Sequence, residues 1–140
     1  MKRALAAVAF LLGLAACAQG GGVLIEDAVF RPPLGASDVG AGYFTIRSAE
    51  DDRIVSVTSP QAAAIEIHAT VTHGNSVSMA RLDSVELPAG KTVVFESGGT
   101  HLMVFSPRTA GPEAAFPITI ELQSGARHEV DFQQIAGRAR

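Results

Sequence analysis

Ile118-Thr119-Ile120-Glu121-Leu122, then Ser124-Gly125, then His128-Glu129-Val130-Asp131-Phe132 reads as strand, turn and strand, because apolar and polar side chains alternate at a period of two on either side of a turn dipeptide. Working outward, the same period recurs in Tyr43-Phe44-Thr45-Ile46, Ile54-Val55-Ser56-Val57, Ile65-Glu66-Ile67-His68, Val77-Ser78-Met79, Thr92-Val93-Val94-Phe95 and His101 to Phe105. Turn chemistry punctuates these runs at Pro32-Pro33-Leu34-Gly35, Asp51-Asp52, Gly74-Asn75, Pro88-Ala89-Gly90, Gly98-Gly99 and Gly111-Pro112. No amphipathic helical stretch of ten or more residues interrupts them, and there is no internal repeat. The pattern predicts an all-β chain with the rhythm of a Greek-key β-sandwich. The carboxylates of Asp51, Asp52 and Glu113 fall in turns, where such groups are ordinarily just solvated.

The start of the chain has a different character. Lys2 and Arg3 form a short positive head, Ala4 to Leu14 is an apolar run too short to span a bilayer, and small residues follow at Ala15, Ala16 and Ala18. This is an export signal. Leu14-Ala15-Ala16-Cys17 also resembles the bacterial lipobox, whose cysteine is lipidated and becomes the mature N-terminus. Cleavage after Ala18 at an A-x-A site is the alternative and would discard Cys17. The lipobox is favoured because Cys17 is the only cysteine in the chain and directly follows the Leu-Ala-Ala triplet. The expected organisation is a lipoprotein signal peptide over 1–16, a lipidated cysteine and short tether over 17–22, and one β-sandwich domain over 23–140. About 120 residues suffice for one core and are too few for two. Without Lys2 and Arg3 the chain keeps 9 basic against 14 acidic side chains, a net charge near −5, which argues against nucleic acid as a partner. Neither fate of Cys17 leaves a thiol in the folded domain, so disulfide chemistry, a cysteine nucleophile and a thiolate-ligated zinc or blue-copper centre are excluded.

The donors that remain are imidazoles and thioethers. Only two methionines, Met79 and Met103, lie outside the leader, and they stand in register with two of the four histidines. Ten residues separate His68 from Met79, twenty-one separate Met79 from His101, and one separates His101 from Met103. Soft, uncharged thioethers with imidazoles favour Cu(I), whereas Mg, Ca and Mn want oxygen and structural Zn wants thiolate or several imidazoles. If Gly74-Asn75 is a two-residue hairpin loop, residues 73 and 76 pair, Thr70 faces Met79 and His68 faces Arg81. Met79 is then the diagonal neighbour of His68 on one strand face. His101 and Met103 project together from a later strand while Leu102 and Val104 point into the core. Taken singly, a strand methionine is usually core filler and a strand-edge histidine is usually hydrogen bonded; it is the joint pattern that points to metal. His73 belongs to the turn and offers at most a weak accessory contact near the hairpin tip. His128 shares strand parity with Val130 and Phe132 and reads as structural or surface.

The spacing resembles that of the periplasmic copper chaperone family written PCu(A)C, in which His, Met and His-x-Met recur at these intervals. The resemblance runs from about Glu26 to Phe132 and includes Gly42-Tyr43-Phe44-Thr45-Ile46, Asp52-Arg53-Ile54-Val55, Ser59-Pro60, Glu66-Ile67-His68, Leu87-Pro88-Ala89-Gly90 and Gly98-Gly99-Thr100-His101-Leu102-Met103. It implies a cupredoxin-like sandwich that binds one Cu(I) per monomer through His68, Met79, His101 and Met103. It also implies delivery to a copper-accepting protein such as cytochrome c oxidase subunit II, at its Cu(A) site, or a Sco-type assembly factor. The chain departs from the family at Ala69 and Phe105, where many members carry further methionines. It ends in Ala136-Gly137-Arg138-Ala139-Arg140 in place of a His- and Met-rich tail, and its segment Ser106 to Phe116 is unlike the usual loop.

These features place the protein on the periplasmic face of a bacterial membrane, held there by its lipid. They argue against an enzyme, since no nucleophile with a paired base, phosphate loop or clustered carboxylates is present in the sequence. Two other classes compete: a lipid-anchored interaction module whose Met and His are merely packed, and a copper-storage or resistance protein, for which one four-donor site offers little capacity.

Overall fold

The computed structural model describes residues 22–111 and 113–135; the expected signal peptide, Cys17 and most of the tether lie outside the described residues. Ten strands follow one another: β1 (Val23–Arg31), β2 (Val39–Ser48), β3 (Asp52–Thr58), β4 (Ala64–His73), β5 (Ser76–Leu82), β6 (Val85–Leu87), β7 (Thr92–Phe95), β8 (Thr100–Phe105), β9 (Phe116–Leu122) and β10 (Arg127–Gln134). Among the described residues there is no helix. Every run that alternates in sequence lies within a strand. β1 and β6 were not expected; β1 hides because its pairing with β2 shifts between Glu26 and Val29, where Asp27 takes a positive φ of 53° and a bulge breaks the two-residue period.

The hydrogen-bonded order is β5-β4-β8-β2-β1-β10-β9-β3-β6, with β7 on β2. The first five strands make one layer and the last four the other. A short parallel pairing, Val29 with Gln133 and Phe30 with Gln134, joins them. β2 is the organiser of the first layer, since Val39–Gly42 pair with β8 and Phe44–Arg47 pair with β7 along the same edge. Its even-numbered residues point inward, and two of them are glycines. A Cβ on Gly40 would lie 2.7 Å from the Phe30 ring, and one on Gly42 would lie 3.2 Å from Leu102, so the missing side chains make room for core side chains of neighbouring strands.

Between the layers lie Phe30, Phe44, Phe95, Phe116 and Phe132 with Ile46, Ile54, Leu102, Val104, Ile118, Ile120 and Leu122. Phe30 stacks on Phe116 across the layers at 4.2 Å between ring centroids, and Phe44 meets Phe132 edge-on at 5.7 Å. Two of the three turn carboxylates, Asp51 and Asp52, depart from their expected role. Asp51 accepts a hydrogen bond from the Ala89 N–H at 2.7 Å, and Asp52 accepts from Arg53 at 2.8 Å and Ser124 at 3.2 Å. They tie the β2–β3 connection to the β6–β7 and β9–β10 turns.

Candidate metal centre

On β8, Leu102 and Val104 are fully buried, so strand alternation turns His101 and Met103 to the opposite, outer face of the first layer. On β4, Ile67 is buried in the core, which puts Glu66, His68 and Thr70 on that same outer face. The inferred hairpin register is the one observed, with His73 opposite Ser76, Thr70 opposite Met79 and His68 opposite Arg81. Gly74 opens the two-residue turn at φ 59°, a conformation that glycine adopts without strain. His73 falls on the other parity from His68 and is exposed; it does not join the site.

What sequence periodicity could not supply is the pairing of β4 with β8. It sets His68 directly opposite His101 and Glu66 opposite Met103. The imidazole centroids lie 6.4 Å apart at a tilt of 34°. Imidazole nitrogens bind a first-row ion such as zinc at about 2.0–2.1 Å, so rings sharing one ion have centroids about 5–6 Å apart, a little closer than the two rings stand here. Met103 lies one register step from the histidine pair towards one end of the strands, beside Ala41 of β2, and Met79 lies one step towards the other end, on the edge strand. Met79 is 60% exposed while His101 is 6% exposed, so the donors run from a sheltered floor to an open rim.

Each imidazole is already held by one nitrogen. The Nδ1 of His101 lies 3.0 Å from the carbonyl oxygen of Gly99 and donates to it, leaving Nε2 with its lone pair. The Nε2 of His68 lies 2.8 Å from Glu66 Oε2, and its Nδ1 is buried without a partner. An orphaned buried nitrogen is costly unless something accepts its lone pair. An acceptor behind one ring nitrogen fixes the tautomer that presents the other to a metal. Glu66 also takes a hydrogen bond from Arg81 at 3.1 Å. The hydrogen bond from His68 holds the Glu66 carboxyl below the ordinary carboxylate range, with the Arg81 charge adding to it and burial opposing it. Glu66, absent from the donor set named from the sequence, is the acceptor behind His68; its signal is its place two residues before His68, hence on the same strand face. Among the described residues no three His, Cys, Asp or Glu side chains form a cluster able to hold a metal, so any metal held here depends on the thioethers.

A family model described as "Putative lipoprotein LpqE-like" matches residues 23–134, which span every strand. The chain belongs to the LpqE-like family. This LpqE-like protein is 27% identical over 148 residues to "Putative lipoprotein Lxx21020" of Leifsonia xyli subsp. xyli (strain CTCB07), an alignment covering 93% of this chain and 87% of the relative. Among solved structures it is similar to the copper-bound PCuAC domain from PmoF2, with a TM-score of 0.70 and 22% identity over 84% of this chain and 95% of that one. It is also similar to the solution structure of CuI-DR1885 from Deinococcus radiodurans, with a TM-score of 0.64 and 22% identity over 85% of this chain and 82% of the other. The fold of this LpqE-like protein is therefore the cupredoxin-like sandwich of the PCuAC domains.

Proposed function

We propose that this protein is an exported, lipid-anchored Cu(I) metallochaperone that holds one ion per monomer through His68, Met79, His101 and Met103 and passes it to a copper-accepting partner. The observation that carries this reading is the meeting of His68 and His101 across β4 and β8, each with one ring nitrogen engaged by Glu66 or Gly99 and the other left for a ligand. Two imidazoles and two thioethers form a neutral, soft donor set that favours Cu(I) over Cu(II) or Zn. The thioethers do not titrate, and the exposed Met79 offers an edge from which an acceptor can take the ion by ligand exchange. This is transport chemistry, and the protein is not an enzyme in this reading. The copper titles of the similar PCuAC structures and the lipoprotein names of the family and its relative support it, as does the Leu14 to Cys17 lipobox. The periplasmic face of the membrane is the expected location, and assembly of the Cu(A) site of cytochrome c oxidase is the proposed destination.

Anaerobic titration with Cu(I) against a chromophoric chelator tests the site. One tight equivalent is expected, weakened in Met79→Leu with the fold intact, since Met and Leu are close in volume. Absence of any Cu(I) competition would return the chain to the interaction-module class.

A further inference from the structure

The outer face of the first layer holds more space than an ion needs. Beside the donors lies an open cavity of about 530 Å³, whereas even a water molecule claims only about 30 Å³ of liquid volume. Small-molecule sites run from about 300 to 1,000 Å³ and combine apolar walls with a few placed polar groups. This cavity has that composition. Pro32, Leu34, Val39 and Val77 line it together with the donors Met79, His101 and Met103. Leu34 and Val77 are 50% and 69% exposed.

One charge stands in this apolar surround. Arg31, at the end of β1, lines the cavity together with Tyr43, and its guanidinium carbon sits 5.2 Å from the centre of the Tyr43 ring. The stacking positions the planar fork without neutralising it. Among the described residues Arg31 forms no ion pair, and no carboxylate lines the cavity. In a chain of net charge −3, a cation left unpaired in an apolar recess is matched to a ligand that brings the anion with it.

We infer that this cavity binds a small apolar organic acid whose carboxylate is held by Arg31, and that an acid with a nitrogen or sulfur donor at its far end binds together with Cu(I) as a mixed complex on the His101–Met103 floor. The first half stands on the cavity alone; the second rests on the proposed Cu(I) site. The cargo then includes an organic chelate of copper as well as the bare ion. A carboxylate at one end and a metal donor at the other would span the cavity from Arg31 to the thioethers.

Three probes separate the contributions: 2-naphthoate carries the anion without a donor, quinoline the donor without an anion, and quinoline-6-carboxylate both. Calorimetry and amide chemical shifts on the purified copper-free protein should show 2-naphthoate and quinoline-6-carboxylate binding at least about tenfold more tightly than quinoline, because a charge-assisted hydrogen bond is worth about one to two powers of ten in affinity. Arg31→Gln should remove that advantage, and Leu34→Asp, which sets a like charge in an exposed wall, should weaken both acids. Loading with Cu(I) should tighten quinoline-6-carboxylate and leave 2-naphthoate unchanged. Equal affinities for 2-naphthoate and quinoline, or acid binding indifferent to Arg31→Gln and Leu34→Asp, would overturn the organic-acid site whatever copper does. Acid binding without a Cu(I) effect, in a protein shown separately to bind Cu(I), overturns the mixed complex alone. If the protein takes up no Cu(I) when titrated without any probe, the chaperone reading fails while the apo measurements still decide the acid site.

Discussion

Met103 and Val104 are chain neighbours that face opposite ways, one towards the cavity that Met79 also lines, the other into the core with no exposed surface. Their substitutions should dissociate. Met103→Ala is expected to abolish tight Cu(I) binding at little cost in stability. Val104→Ala should leave the donors in place but cost roughly 1 to 4 kcal/mol through lost transfer energy and a cavity. Chemical denaturation of the apo forms together with Cu(I) competition reads both, and a Met103→Ala variant several kcal/mol less stable with unchanged affinity would make the methionine core. Glu66 is a positioning residue for His68 in the proposed site. Glu66→Ala should lower Cu(I) affinity about 10- to 100-fold, the usual loss when the acceptor behind a ligating imidazole is removed, with Glu66→Gln in between because its amide oxygen still accepts from Nε2. Nitrogen-resolved NMR of His68 should show the Nε2–H tautomer in wild type and its loss in Glu66→Ala; an unchanged tautomer would mean that Glu66 does not orient the ring.

At the scale of the element, the donor strands were legible because alternation is strict where one face is buried. Ile67, Leu102 and Val104 mark the inner face, and His68, His101 and Met103 follow by parity. β1 was illegible for the converse reason: the bulge at Asp27 shifts its parity mid-strand. Asp52 shows what turn composition conceals. It reads as a solvated turn carboxylate, yet it joins the start of β3 to the β9–β10 turn. Hydrogen bonding from Ser124 is the main cause of a carboxyl held below its ordinary value, the Arg53 N–H adds to it, and burial opposes it. The sign follows directly: a depressed folded pKa contributes stability above the unfolded value, near 4, that is lost as pH falls through the folded one. Urea denaturation from pH 6 down to pH 2 should show Asp52→Asn less stable than wild type at the upper end, with the gap closing below about pH 4. A gap that is constant across that range would remove the linkage.

Over the whole molecule, the two layers share one core, stitched by the Phe30–Phe116 stack and the β1–β10 pairing. Phe30→Ala should therefore cost about 3 to 5 kcal/mol and move a single transition, with tyrosine fluorescence from Tyr43 in the first layer coinciding with far-ultraviolet dichroism of both; separated transitions would show that the layers unfold independently. The all-β class, the strand faces and the hairpin register of β4 and β5 were present in the sequence, because periods of two and turn residues act over a few neighbours. The donor types, and through them the expectation of a soft metal, were equally present in composition. Tertiary structure alone decided that β8 lies beside β4, which sets His68 against His101 thirty-three residues away, and that Glu66 and Gly99 each engage one imidazole nitrogen. It also decided that Arg31 and Tyr43, from β1 and β2, share a cavity with β8. Those pairings join segments distant in the chain, and alternation within a strand names the face a residue takes without naming the strand that will lie next to it.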